Sequence, residues 1–362
     1  MRFEDLIGHG RATSVLRNAL RRDRIAHSYL FSGPEGVGKS TAARIFAQAL
    51  NCERSPGEAP CGECVQCQRM ARGSHPDVRF LAPQPGKSVI AIEDIRRQFV
   101  YDVNLKPVLG RYKIYVLDPA EQTANLAIQT TLKVLEEPPP YVVAILVTSA
   151  PASLPATIAS RCQPVIFQLV GAAQITSHLV ELGVAADTAA SLANLSGGRI
   201  AWAIRGARRP EVLAARKSLL DLCSGLGLRG VGEGLRVAEE IKLVAATLAE
   251  SGEPEDDTES AEEDEVGSGR GSVSDRVLRV ELPWCLDVMA SWYRDALAAG
   301  EGASLLNPDY ANALRRQARS DSANRTERLI ESLLQAKRAI RHNANIDVAL
   351  EALALALIGG CE

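Results

Sequence analysis

Aromatic residues are scarce, at 4% of the 362-residue chain. An independent single-strand nucleic-acid binder stacks bases on aromatic side chains set among basic ones, so the composition argues against that class. No apolar run approaches the roughly 20 residues needed to cross a bilayer, and no membrane partner is expected. The opening stretch MRFEDLIGHG lacks the charged-then-apolar layout of a signal peptide, which predicts a cytoplasmic protein. A large net charge is also missing, the total being −3. The charge is unevenly placed, however. Residues 250–265 hold ten acidic side chains and no basic one, so the rest of the chain is mildly basic. That tract and the VGSGRGSVS after it cannot bury a core, and 250–275 is predicted to be an acidic disordered linker.

What the chain does have is GPEGVGKS at 33–40, which fits the pattern G-x-x-x-x-G-K-[ST]. It lies between the apolar run SYLFS and a helical pattern, TAARIFAQAL. Glycines let backbone N–H groups approach phosphate oxygens, and the following helix turns its positive end to the anion. Gly33, Gly36, Gly38, Lys39, Ser40 and Thr41 are therefore candidate nucleotide-binding residues. In this pattern the lysine reaches the β- and γ-phosphates and Ser40 ligates Mg²⁺. Further apolar runs, DVRFLAP, YKIYVLD, YVVAILVTS and PVIFQL, alternate with helical patterns, among them IEDIRRQFVYDV at 92–103 and NLAIQTTLKVLEE at 125–137. The pattern predicts a parallel sheet covered on both faces. After about residue 170 no strand is expected, only helices.

A phosphate loop needs an acid at the end of a neighbouring strand, and Asp118 qualifies. ATPases of this broad type commonly place a water-orienting Glu next, where this chain has Pro119; Glu121 lies two residues further on. The parts for binding are present and the usual part for hydrolysis is not. Four of the eight cysteines, Cys52, Cys61, Cys64 and Cys67, fall within 16 residues. Their spacing suits four thiolates on a structural tetrahedral Zn²⁺; an iron–sulfur cluster and free thiols are the competing readings. His75, nearby in sequence, is read as a loop residue.

The stretch RIAHSYLFSGPEGVGKSTAARIFAQALNC, the cysteine spacing, LKVLEEPPP and PATIASRCQ together resemble bacterial clamp-loader subunits of the AAA+ class. These are the gamma/tau and delta-prime subunits of the DNA polymerase III holoenzyme. The resemblance implies α/β plus all-α architecture. It places an AAA+ P-loop domain at 1–170 with its zinc module at 52–67, and a helical lid at 171–207. A helical collar domain would follow at 208–249 and 276–362. It implies ATP or ADP with Mg²⁺ as ligand. The implied partners are gamma/tau and delta subunits, the sliding clamp and, through the assembly, primed DNA. Three features resemble delta-prime rather than the ATP-hydrolysing gamma/tau motor, which is the alternative. Pro119 stands where the motor has Glu. Aligned on Gly197, the lid position of the motor's sensing Arg is Ile200, with Arg199 one residue off and expected to face another side of the helix. The ending HNANIDVALEALALALIGG resembles that of delta-prime, without a tau-type extension after it. The resemblance also gives Arg161 in SRC a role, reaching the γ-phosphate of a neighbouring subunit's ATP. From the sequence alone, a helix-terminal Arg favoured by the dipole is the preferred reading.

Limited proteolysis of the native protein is expected to cut first within 250–275, and deletion of that tract to leave folding intact. Protection of the tract would contradict the linker reading.

Overall fold

A computed structural model describes residues 2–55, 57–84, 89–123, 134–250, 275–303, 305–341 and 344–359. The chain divides into two compact units, Met1–Ile204 and Arg205–Glu362.

The first unit is built on five strands: β1 Ser28–Ser32, β2 Val78–Leu81, β3 Lys113–Leu117, β4 Val142–Thr148 and β5 Gln163–Ile166. They form one sheet in the order β2-β3-β4-β1-β5, and every pairing is parallel. All five expected strands are present. Parallel strands are covered on both faces, so they read as unbroken apolar runs; every residue of β3 and β4 is buried. Side chains still alternate between the faces. Tyr29, Phe31, Val143, Ile145 and Val147 join one core with Leu16, Ile45 and Phe46. Leu30, Ala144 and Leu146 join the other with Ile95, Phe99 and Tyr115.

The first core is closed by helices α1 Gly10–Arg21 and α2 Lys39–Leu50, and α3 Val65–Ala71 carries part of the cysteine cluster. On the other face, the helix expected from Ile92 onward runs only to Ile95 and widens into a broader turn over Arg96–Val100. The helix expected at 125–137 lies mostly outside the described residues; its last turn, 134–136, is helical. The acidic tract lies outside them as well. Lys113 opens β3 almost fully buried, and it remains there because its Nζ pairs with Asp102 Oδ1 at 2.8 Å. The Tyr115 hydroxyl donates to the other oxygen of Asp102 at 2.8 Å. After the sheet come α4 Ala172–Glu181, α5 Ala186–Leu195 and α6 Ile200–Arg208.

The second unit has no strand among its described residues. Its helices are α7 Pro210–Gly225, α8 Gly234–Glu250, α9 Asp275–Gly300, α10 Ala311–Ser320, α11 Ala323–Arg341 and α12 Ile346–Gly359. Trp292 and Tyr293 of α9 are buried at its centre. The fully buried Asp295 accepts from the backbone N–H groups of Leu306 and Asn307, which fixes the turn after α9.

One buried carboxylate organises an otherwise exposed loop in the first unit. Asp77 accepts from the N–H groups of Val108 at 2.6 Å, Leu109 at 2.7 Å and Gly110 at 2.7 Å. Burial pushes its carboxyl up, but these three donors and the nearby His75 pull it further down, to a net position below the usual carboxylate range. The stabilisation is therefore present above the unfolded pKa of about 3.9 and is lost as pH falls through the lower folded value. Asp77→Ala strands three donors and is expected to cost about 3 kcal/mol or more in urea unfolding at pH 7. Its stability should also fall less steeply than wild type below about pH 4. A variant as stable as wild type would contradict this account.

Candidate functional site

β1 runs straight into the glycine loop. Gly33, Gly36 and Gly38 have φ of 150°, 75° and 102°. The last two lie in the left-handed region that side chains disfavour. Gly33 is also held by space, since a Cβ there would sit 2.2 Å from the Phe167 carbonyl oxygen. The loop ends at the N-terminus of α2, whose first residues are Lys39, Ser40 and Thr41. Lys39 is buried and folds back, its Nζ donating to the carbonyls of Gly33 and Pro34, both at 2.7 Å. Burial lowers its pKa; Glu121, Asp118 and Glu35, in that order, oppose the shift. Asp118 follows the last residue of β3 and accepts from the Ser40 hydroxyl; its pKa is raised by burial, against the pull of Ser40 and Lys39. The structure thus gathers all seven nucleotide-site candidates at the carboxyl ends of β1 and β3. That edge is where open parallel sheets take ligands.

Two residues that the sequence left without a role complete this end. Glu121 Oε1 accepts from the Ser149 N–H at 3.0 Å and the Ser149 hydroxyl at 2.6 Å. This pins the carboxylate to the chain after β4. Its other oxygen is buried with no hydrogen bond, while its charge acts on Lys39. His9 is buried, with Nε2 2.6 Å from the Val37 carbonyl and its ring edge-on to Phe167 at 5.0 Å. Burial lowers its pKa, so the neutral ring with its proton on Nε2 suits this contact. No motif marked either residue.

The lid residues differ from expectation. Ile200 is buried, and Arg199 does not face away from the loop. Its side-chain carbons cover Gly36, with Cβ 3.3 Å from where a Gly36 Cβ would lie. The Ala201 N–H donates to the Gly36 carbonyl at 2.9 Å. The reason is local: α6 begins at Ile200, so Arg199 precedes the helix and escapes its surface periodicity.

Arg161 lies at the opposite, amino end of the strands. It follows the short helix Ala156–Ala159 and precedes β5, which starts at Gln163 opposite Tyr29. The Ser28 hydroxyl, at the first residue of β1, donates to the Arg161 carbonyl at 2.9 Å. The phosphate loop leaves the far end of that strand. Five residues at about 3.3 Å each separate the two ends by roughly 16 Å.

The four cysteines form a separate centre. The sulfurs of Cys52, Cys61, Cys64 and Cys67 all lie within 4.8 Å of one another. Cys61 and Cys67 are 3.9 Å apart. A tetrahedron with metal–sulfur bonds of about 2.3 Å has edges near 3.8 Å, so the donor set fits a metal ion. Backbone N–H groups point at the sulfurs, from Glu63 and Cys64 to Cys61, from Cys61 to Cys52, and from Cys67 to Cys64. Such donors favour thiolate. His75 is outside the cluster; its Nε2 is 2.8 Å from Gln66 Oε1 and its Nδ1 accepts from the Asp77 N–H.

Residues 8–170 match the family model described as DNA polymerase III, delta subunit. The tau subunit of DNA polymerase III from Bacillus subtilis is 40% identical over 178 residues, covering 49% of this chain and 31% of the relative. The chain thus spans less than a third of that protein. The delta-prime subunit from the same organism is 27% identical over 353 residues, covering 97% of this chain and 96% of the relative. Among solved structures, a DNA polymerase III gamma subunit-related protein from Thermotoga maritima covers 96% of this chain and 98% of its own, with 16% identity and a TM-score of 0.38. A likeness of that size says nothing about function. Residues 8–170, the glycine loop among them, are thus similar to the DNA polymerase III delta-subunit domain, and the chain is similar in sequence to the delta-prime and tau subunits of that polymerase.

Proposed function

We propose that this chain is a delta-prime-type subunit of a bacterial clamp loader. In this reading it assembles with gamma/tau and delta subunits and helps load the sliding clamp onto primed DNA. It holds nucleotide with little hydrolysis of its own and lends Arg161 to the ATP site of a neighbouring subunit. The full-length similarity to a delta-prime subunit supports the assignment. The observation that carries the division of labour is the placement of Arg161 and Lys39 at opposite ends of the same strand, β1. An arginine whose backbone lies a strand length, roughly 16 Å, from its own phosphate loop suits a nucleotide on another chain better than its own. An arginine finger neutralises charge developing on a transferring phosphoryl group and is worth about 10³–10⁵ in rate.

At the chain's own site, Gly33, Gly36, Gly38, Lys39, Ser40, Thr41 and Asp118 suit the binding of Mg·ATP or Mg·ADP. Hydrolysis also needs a carboxylate that orients water. Pro119 has none, and Glu121 is held to Ser149. Arg199 favours the gamma/tau-type motor as a second reading, because its stem covers Gly36 despite the one-residue offset. The non-hydrolysing reading therefore rests on Pro119 rather than on Ile200. The cysteine cluster suits a structural Zn²⁺, which with four thiolates keeps no open coordination position.

Two measurements test this. Elemental analysis of gently purified protein is expected to give about one zinc per chain; iron in its place, or only traces of zinc, would contradict the zinc reading. Cys61→Ser should loosen the 52–67 segment while the sheet domain stays folded by circular dichroism. In a reconstituted loader, Lys39→Ala should leave DNA-dependent ATP turnover largely intact. Arg161→Ala should lower it markedly, although its own phosphate site is untouched. An isolated chain that turns over ATP as fast as a motor subunit would favour the second reading.

A further inference from the structure

The LEEPPP stretch has no part in the function derived so far, yet its first glutamate touches Arg161. Glu136 ends the helical turn at 134–136, just before the proline run that stops the helix. Val134 and Leu135 are buried beneath it and fix its position. Glu136 Oε1 lies 2.8 Å from Arg161 Nη2, and both side chains are partly exposed, at 49% and 37%. Arg161 Nη1 donates to the Thr157 carbonyl at 2.8 Å. The backbone of Arg161 is held separately by Ser28. The chain thus fixes the base of Arg161 firmly and its guanidinium by one half-exposed carboxylate and one carbonyl.

We propose that Glu136 is a positioning residue that stows Arg161 until a neighbouring subunit presents a nucleotide phosphate, which then competes with the carboxylate for the guanidinium. This rests on the reading of Arg161 as a finger acting on another chain. A guanidinium binds carboxylate and phosphate through the same fork of N–H donors, so the two anions exclude one another at that face. The strength of the contact suits a stow rather than a permanent bond. A partly exposed ion pair contributes about 0.2–1 kcal/mol, a factor of about 1.4 to 5 in population. That biases the idle side chain and is readily overcome by a di-anionic phosphate in a closed site. Idle complexes then hydrolyse slowly because Arg161 is occupied, and tight closure on DNA releases it.

The test uses the assembled loader, with ATP turnover measured with and without clamp and primed DNA. Glu136→Gln is expected to raise the DNA-free rate about two- to fivefold at low salt. The difference from wild type should shrink toward about 1 M salt, where the Debye length falls to roughly 3 Å. The pair Glu136→Gln with Arg161→Ala should match Arg161→Ala alone. A merely structural role would lower stability or assembly without this salt-dependent gain. If the Gln variant does not assemble, Glu136→Asp, one methylene shorter, carries the same expectation with the same sign. An unchanged DNA-free rate in the Glu136 variants, together with a lowered rate in Arg161→Ala, would overturn the stow and leave the finger standing. A silent Arg161→Ala would overturn the finger, and the stow with it.

Discussion

The strand β1 is the member on which both functional ends depend. It is hydrogen-bonded to β4 on one side and β5 on the other. Its last residue feeds the glycine loop, and the hydroxyl of its first residue holds the Arg161 carbonyl. Tyr29 and Phe31 are buried on one face and Leu30 on the other. A strand locked between two neighbours and packed on both faces cannot slip, because a one-residue shift would exchange its faces. The separation of the glycine loop from the Arg161 backbone is thereby fixed.

The phosphate end is charged and paired within itself, apart from the second oxygen of Glu121. Lys39 spends its donors on two loop carbonyls, Ser40 is bonded to Asp118, and Glu121 is tied to Ser149. A ligand phosphate would replace carbonyls on a lysine that is already positioned, which is what a holding site requires. The Arg161 end has the opposite character. Arg161 is anchored at its backbone and only lightly held at its tip. Side-chain contacts are dense at the glycine loop and sparse at the Arg161 guanidinium.

Much of the fold was legible because its signals are local. Five apolar runs gave five strands, since parallel strands buried on both faces need no alternation. GPEGVGKS marked the loop because only glycine tolerates its backbone, and CxxCxxC marked the cluster because its spacing is short. What escaped depends on chain ends and on distant partners. Arg199 departs from the helical periodicity because the helix starts one residue later. The broader turn at Arg96–Val100 has no signature in its residues. Asp77, His9 and Glu121 act on backbone groups that are near only after folding. Glu136 and Arg161 are 25 positions apart in sequence and meet only because their two turns are brought together in the fold.

The most direct test of the account is a structure of the assembled loader with a transition-state mimic of ATP, such as ADP with aluminium fluoride, bound at the neighbouring motor site. The account predicts the Arg161 guanidinium within hydrogen-bonding distance, about 3 Å, of the phosphoryl mimic and withdrawn from Glu136. An Arg161 still paired with Glu136 beside a filled and closed neighbouring site would contradict it.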